Sequence, residues 1–313
     1  MADRPWIVGQ LGSTAFEHLA AGLSGSELQS VLLEVMHRRA ARRAPRDLVA
    51  QYQRDAFCAP AVVDQRTAVE LDAHLLAAAD GFEAIELSPV APLGVCSAVA
   101  LTDQKRVLSA LRGTEVVSDP TNVLALECAV RLRARPAGPV HLATCQRVVR
   151  AQPLPRGRGL TQHFRLFVLA SGGPEEREHG FTISTVLRHI GTSLAALDRL
   201  EAHGYAFGAR GVDILTTPER EALGVRVAEQ LGGVATRKVL EHPYYSGGLR
   251  FQIWVTDRDG ASIPLIDGGV FDWLAKLTSN RRAVYVATGA GAQLMALRFR
   301  SPETPNAEGN PKG

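Results

Sequence analysis

Residues 242–295 read HPYYSGGLRFQIWVTDRDGASIPLIDGGVFDWLAKLTSNRRAVYVATGAGAQLM, and the order of their parts decides the fold. Two apolar runs, 249–255 and 263–266, flank Asp259-Gly260, a dipeptide typical of a tight β-hairpin turn. A glycine pair, a helical pattern, a strand pattern, a glycine turn and a second helical pattern follow. The stretch therefore predicts a hairpin that leads into a helix, a strand and a further helix.

This order resembles the end of the catalytic core of histidyl-tRNA synthetase, a class II aminoacyl-tRNA synthetase. That family has a YYTG segment and an FE-bearing strand, and then a GGGRYDGL turn before its last ATP-binding helix, motif 3. The matching segments of this chain are Tyr244-Tyr245-Ser246-Gly247, Phe251-Gln252 and 267–274. The resemblance implies an α+β fold in which a class II synthetase-like antiparallel sheet is flanked by helices.

Two earlier segments resemble parts of the same core. Residues 81–89, GFEAIELSP, resemble the GYxEIxTP strand of motif 1, which these enzymes use at their dimer interface. The resemblance therefore implies a homodimer. Ala91 and Pro92 stand where the family places a substrate-binding glutamate, so that carboxylate is missing.

Asp119 and Thr121 belong to a segment that resembles the family's RPDLT, where a strand delivers an acid and a threonine before a helix. Asp119 is also a good helix N-cap, with Pro120 in the first helical position. Val117 replaces the arginine of the family segment. We expect a helix to begin here and to place both polar side chains at the rim of a ligand site.

Arg150 ends the segment QRVVR, which is similar to the GRVFR form of synthetase motif 2. In that family an arginine at this place grips the α-phosphate of ATP. A guanidinium suits this role because its planar fork makes paired hydrogen bonds to phosphate or carboxylate oxygens. The alternative is an arginine on the solvated face of a strand. The family's REF in the next strand is Arg165-Leu166-Phe167, so its glutamate is lost.

Several catalytic positions of the family are changed in this chain. Leu240 replaces the arginine that precedes the tyrosine pair, and Ala292 and Gly291 fall where motif 3 has its arginine and glutamate. Phe271 replaces the tyrosine of GGGRYDGL. Adenylate formation depends on electrostatic stabilisation of phosphates, so losing two arginines would make histidine activation very slow. We therefore expect no synthetase activity, and the catalytic residues are unknown.

Two functional hypotheses follow from this pattern. The first is a catalytically altered paralogue that binds a small amino-acid-like or nucleotide ligand or a protein partner, as the synthetase-like regulatory subunit of ATP phosphoribosyltransferase does in its family. The second is an enzyme that forms an acyl-adenylate for a non-tRNA acceptor, and only this one requires ATP and magnesium as cofactors. In both, one concave site is predicted to collect the ligand-binding residues Arg150, Tyr244, Tyr245, Gln252, Asp119, Thr121 and Phe271.

The N-terminal residues 1–55 are predicted to form a helical extension to a core over 56–300. Ser24 and Glu27 form a capping-box pattern, and one helical face then carries Leu28, Val31, Leu32, Val35 and Met36. The basic residues between 37 and 46 either contact RNA or a nucleotide-bearing partner, or form a solvated helix end that complements the dipole. The tail 301–313 has three prolines and no apolar face, which predicts disorder.

Composition excludes several other classes of protein. The chain has 313 residues, 46% of them hydrophobic, and no run of about 18 apolar residues, so no membrane span is expected. No signal-peptide pattern and no metal-ligand spacing are present, so we expect a cytoplasmic protein without a metal site. A net charge of +3 is no nucleic-acid signature. Since the chain also ends just after motif 3, with no anticodon-binding domain, we do not expect tRNA binding.

Overall fold

A computed structural model describes residues 6–135, 138–151 and 161–301. Its helices are α1 (Trp6–Leu11), α2 (Ser13–Glu17), α3 (Gly25–Ala41), α4 (Pro45–Arg54), α5 (Gln65–Ala78), α6 (Val95–Val99), α7 (Pro120–Ala134), α8 (Gly180–Glu201), α9 (Glu221–Leu231), α10 (Trp273–Thr278) and α11 (Ala292–Arg298). Its strands are β1 (Glu83–Ala84), β2 (Val90–Pro92), β3 (Ser109–Ala110), β4 (Thr114–Val116), β5 (Val140–Val149), β6 (His163–Pro174), β7 (Arg210–Thr216), β8 (Ala235–Val239), β9 (Leu249–Thr256), β10 (Ser262–Phe271) and β11 (Ala283–Ala290).

The larger sheet of the described residues has eight strands in the order β1-β5-β6-β11-β10-β9-β7-β8. All neighbours are antiparallel except at the two edges, where β1 pairs with β5 and β8 pairs with β7 in parallel. A small sheet of β2, β4 and β3 lies apart from it. The predicted α+β class, a mostly antiparallel sheet flanked by helices, is confirmed.

Helices cover both faces of the large sheet and form two apolar cores. The first core joins α5, α8, α9 and α11 to one face, where alternate β9 residues such as Phe251 and Ile253 are buried. The second core joins α6, α7 and α10 to the other face. Leu124 of α7, Leu142 of β5 and Tyr285 of β11 are fully buried there. The period-2 burial of β9 directs its four buried residues to the first core, and the residues between them are half-buried on the other face.

Two glycine-rich segments that the sequence predicts as turns or loops lie inside strands. The pair Gly268-Gly269 belongs to β10, where a Cβ on Gly268 would come within 2.4 Å of the Phe251 ring. The polar segment 172–180 is typical of a loop, but Gly172 and Gly173 belong to β6, where they let neighbouring side chains approach the strand backbone, so that prediction was wrong at its start. A short connection over 175–179 separates this strand from α8, which starts at position 180.

The predicted hairpin, the helices after it and the long β5–β6 pair are all present, and the edge strand β8 was not predicted. The start of α3 has the predicted capping box, since the Ser24 side chain accepts from the Glu27 amide and Glu27 accepts from the Ser24 amide. Residues 154–160, which the resemblance to motif 2 predicts as the loop between β5 and β6, and almost all of the tail lie outside the described residues.

Within the described ranges, no helix has both the length and the apolar composition needed to cross a membrane.

Candidate functional site

A cavity of about 520 Å³ lies beside the N-terminal end of α7, over strands β10 and β11. Among the described residues it is lined by Cys96, Thr102, Arg106, Ser118, Asp119, Thr121, Arg150, Leu166, Tyr244, Tyr245, Pro264, Leu265, Asp267, Gly268, Phe271, Ala287, Gly289, Gly291 and Leu294. Six of the seven residues that the sequence predicts for a ligand site are among them. Distant segments meet here because β10 and β11 are adjacent in the sheet and α7 packs against β5, β6 and β11.

Asp119 caps α7 and keeps one carboxylate oxygen for the cavity. Its Oδ1 accepts hydrogen bonds from the Thr121 amide at 3.0 Å and from the Thr121 hydroxyl at 2.8 Å. Its Oδ2 faces the Arg150 guanidinium at 3.6 Å and the Tyr244 hydroxyl at 3.5 Å. The helix start is fixed against the sheet because the buried Tyr285 hydroxyl donates to the Thr121 carbonyl at 2.6 Å.

Arg150 follows the last residue of β5 and is held from three sides. Its Nε donates to the Ser118 carbonyl at 2.9 Å, and its guanidinium lies 5.1 Å from the centroid of the Phe164 ring. Asp119 supplies the third contact. The side chain remains 31% exposed, so its remaining N–H groups are accessible from the cavity. Of the two alternatives for Arg150, a ligand site or the solvated face of a strand, the structure agrees with the first because Arg150 lines the cavity.

An aromatic wall closes one side of the cavity. The rings of Tyr244 and Tyr245 lie 5.5 and 5.4 Å from the ring of Phe271, which stacks on Trp273 at 4.1 Å. Burial raises the pKa of both tyrosine hydroxyls, and the nearby carboxylates of Asp119 and Asp267 add to the effect. Both tyrosines therefore stay neutral at physiological pH and present apolar rings with one hydroxyl donor each.

Arg250 and Asp267 form a bidentate ion pair beside this wall. The distances are 2.9 Å for Nε to Oδ1 and 2.7 Å for Nη2 to Oδ2, and the guanidinium lies 5.1 Å from the Tyr245 ring centroid. Asp267 lines the cavity, and its β9 neighbour in the register is Gln252. Gln252 is the one predicted site residue that is not among those lining the cavity.

The segment between α6 and β4 completes the cavity rim, and its sequence gave no sign of this role. It contributes Thr102 and the exposed Arg106. The segment is held by the buried carboxylate of Glu115, which accepts from the Gly94 amide at 2.8 Å, the Cys96 amide at 3.1 Å and the Gln104 side chain at 2.8 Å. The resemblance could not reveal Arg106 because it matches no family motif.

The residues at the replaced catalytic positions have no charged or hydrogen-bonding side chains. Leu240 is 6% exposed and lines a separate cavity, and Ala292 is fully buried at the start of α11. Gly291 lines the main cavity but has no side chain. Burial raises the pKa of the Cys96 thiol to about 11, so this cavity-lining cysteine stays protonated. In the described parts of the chain, no cluster of three or more His, Cys, Asp or Glu residues is arranged to hold a metal ion.

Solved structures share the fold of this chain. An ATP phosphoribosyltransferase regulatory subunit/histidyl-tRNA synthetase from Bacillus halodurans aligns with a TM-score of 0.58 and 16% identity, over 74% of this chain and 79% of its own. A histidine–tRNA ligase subunit from Alicyclobacillus acidocaldarius aligns with a TM-score of 0.56 and 14% identity, over 76% and 96%. The RNA-binding domain of a threonyl-tRNA synthetase from Cryptosporidium parvum gives 0.56 and 11%, over 73% and 64%.

This chain has the class II aminoacyl-tRNA synthetase-like fold. No protein-family model matches the sequence, and no curated protein matches it significantly. At 11–16% identity the likeness to class II synthetases shows the fold alone, and it extends to a threonyl enzyme as well as to histidyl ones. What a class II-like protein does must therefore be argued from the cavity.

Proposed function

We propose that this chain is a catalytically altered class II-like protein whose cavity binds a small amino-acid-like ligand, with a regulatory role rather than a synthetase activity. The observation that carries the proposal is the pairing of Arg150 with Asp119 at 3.6 Å, opposite an aromatic wall. A guanidinium, a carboxylate and an apolar surface match the carboxylate, the ammonium group and the side chain of an amino acid.

Charge balance favours an amino acid over a nucleotide as the ligand. Arg106 and Arg150 line the cavity with Asp119 and Asp267. Asp267 is already paired with Arg250, so among the described residues the site and its immediate surroundings hold three cations and two carboxylates. This single net positive charge is less than a triphosphate requires. A triphosphate carries several negative charges, and synthetase and kinase sites stabilise them with cations that outnumber nearby acids. A ligand of zero net charge does not require an excess of cations. The ring of Phe271, which lacks the family's hydroxyl, favours an apolar side chain.

The replaced positions support the loss of catalysis. Neither Leu240 nor Ala292 can contact a phosphate electrostatically, and both are buried. Each lost donor to a developing oxyanion costs about 3 kcal/mol of transition-state stabilisation in enzymes where this was measured. Two such losses would slow adenylate formation by more than about ten-thousandfold.

An ATP–pyrophosphate exchange assay across the standard amino acids tests this loss of catalysis. We expect no exchange above the blank with histidine or with any other amino acid. Exchange at a rate typical of synthetases would establish the acyl-adenylate-forming enzyme instead.

Calorimetric titration of the purified protein with single amino acids tests the ligand class. We expect binding of an amino acid with an apolar or aromatic side chain and weaker or no binding of ATP. Arg150→Ala should weaken that binding by about 1.5–3 kcal/mol, which is about ten- to a hundredfold. Arg150→Lys should recover only part of it because lysine lacks the planar fork. Arg237→Ala, at an exposed edge-strand position, is the matched control.

Residues 82–89 are proposed as a contact between two copies of the chain. Strand β1 lies at an edge of the large sheet, and most residues of this segment are exposed, including Ala84 and Pro89. An open edge next to exposed apolar groups is what a symmetric dimer covers. A monomer in sedimentation experiments at micromolar concentration would count against this contact.

A further inference from the structure

Helix α3 carries an apolar stripe that the rest of the described chain leaves open. No residue of this helix is buried. Four large side chains at i, i+1, i+4 and i+5 lie on one face and remain 37–51% exposed: Val31, Leu32, Val35 and Met36. Single exposed apolar residues are ordinary, but a contiguous stripe along one helix face is typical of an interaction surface.

Charge is divided along the same helix. The acidic residues Glu27 and Glu34 lie in its first ten positions, whereas Arg38 and Arg39 lie in its last turn, followed by Arg42. Glu27 also takes part in the capping box, and Glu34 pairs with Arg38 at 2.6 Å within the helix. The first half, 25–33, therefore carries one negative charge from Glu27, and the second half is positive overall because its arginines outnumber Glu34. The helix dipole has the opposite polarity at each end.

We propose that α3 pairs with α3 of a second copy of this chain in an antiparallel arrangement. A twofold axis between positions 33 and 34 places Leu32 against Val35 of the second copy, and Val31 against Met36. Every apolar residue of the stripe then meets another. The same axis brings Glu27 of one copy next to the arginine-rich end of the other, whereas a parallel pair would align like charges.

A lipid surface fits these observations less well. Amphipathic helices that bind membranes carry cations along the whole polar face, and here Glu27 precedes the stripe and Glu34 lies within its span. This contact is separate from residues 82–89 and from the ligand cavity. The pairing of α3 therefore does not depend on the proposed contact at 82–89 or on the proposed ligand.

Cross-linking of introduced cysteines tests the pairing and its direction. The full-length chain with Cys58→Ser, which removes the exposed natural thiol, receives either Val35→Cys or Leu28→Cys. In the antiparallel pair the two copies of position 35 lie about 5 Å apart along the helix axis, and those of position 28 about 16 Å apart. A short bismaleimide should therefore link position 35 and leave position 28 unlinked.

Leu32→Glu should reduce linking at position 35 at least tenfold, while Ser30→Glu, on the opposite face of α3, should not change it. The same two substitutions in the chain with its natural cysteines should differ at least tenfold in self-association by sedimentation equilibrium. Equal linking at positions 28 and 35, or linking at neither, would overturn the proposal. Equal self-association of the Leu32→Glu and Ser30→Glu variants would also overturn it. A third contrary result is a chain that shows no cross-linking but sediments with phosphatidylserine vesicles and loses that binding with Leu32→Glu.

Discussion

Replacing His189 by glutamine should change how the stability of this fold depends on pH. His189 is a fully buried residue of α8 that bridges two central strands of the sheet. One ring nitrogen lies 2.8 Å from the hydroxyl of Ser171 in β6, and the other lies 2.7 Å from that of Thr288 in β11. Glutamine cannot reproduce both contacts with the same geometry, so a loss of about 1–3 kcal/mol is expected at neutral pH.

Protonation gives this residue a second effect. Burial lowers the pKa of His189 to about 3, and the charges of His141 and Arg188 act in the same direction. In the unfolded chain this imidazole takes up a proton near pH 6.5. Between pH 6.5 and about pH 3 the unfolded chain therefore binds one more proton than the folded protein. Stability is therefore lost as the pH falls below 6.5, by up to about 1.4 kcal/mol per pH unit and about 2–3 kcal/mol at pH 4.5.

Urea unfolding of wild type and His189→Gln at pH 7.5, 6.0 and 4.5 measures both effects. The variant lacks this titration, so from pH 7.5 to 4.5 the wild type should lose about 2–3 kcal/mol relative to it, which closes or reverses the gap between them. The matched control is His37→Gln, at an exposed position of α3, whose curve should run parallel to wild type. A gap that stays constant across this pH range would refute the assignment of a neutral, buried imidazole.

Three further predictions concern the supports of the cavity, each read out by denaturant unfolding. Tyr285→Phe removes the 2.6 Å hydrogen bond to the Thr121 carbonyl and should cost about 1 kcal/mol. Gly268→Ala should cost about 1–3 kcal/mol because its Cβ would come within 2.4 Å of a ring atom, while Gly233→Ala, with open space around it, should change stability little. Glu115→Ala leaves three donors without their acceptor and should cost on the order of 3 kcal/mol; a change below 0.5 kcal/mol would contradict the role given to this carboxylate.

The sequence was sufficient for the parts of the fold that local rules control. Asp119 before Pro120 predicts the start of α7, and Ser24 with Glu27 predicts the start of α3, because capping is a contact between near neighbours. The Asp259-Gly260 pattern likewise predicts a hairpin here, although the structure connects β9 to β10 through the five residues 257–261 rather than through two. The resemblance to the synthetase core predicted that six side chains distant in sequence lie at one cavity, and no local rule could predict this grouping.

The remaining features depend on contacts that no local pattern encodes. Gly268 looks like a turn residue until the ring of Phe251 is known to lie beneath it. The edge strand β8 is mostly exposed and lacks the alternation that identifies a strand from sequence. Arg106 reaches the cavity rim because Glu115 holds its segment, and both residues are ordinary charged positions in the sequence.

The sheet order also sets the timing of folding during synthesis. Strand β6 pairs on one side with β5, which precedes it closely, but on its other side with β11, from Phe167 opposite Ala290 to Pro174 opposite Ala283. Roughly a hundred residues separate these two strands, and a ribosome needs about 5–20 s to add them. During that interval one edge of β6, rich in apolar residues, has no partner strand. This edge is therefore where a nascent chain is most exposed to misassociation and where a chaperone that binds extended apolar segments would act.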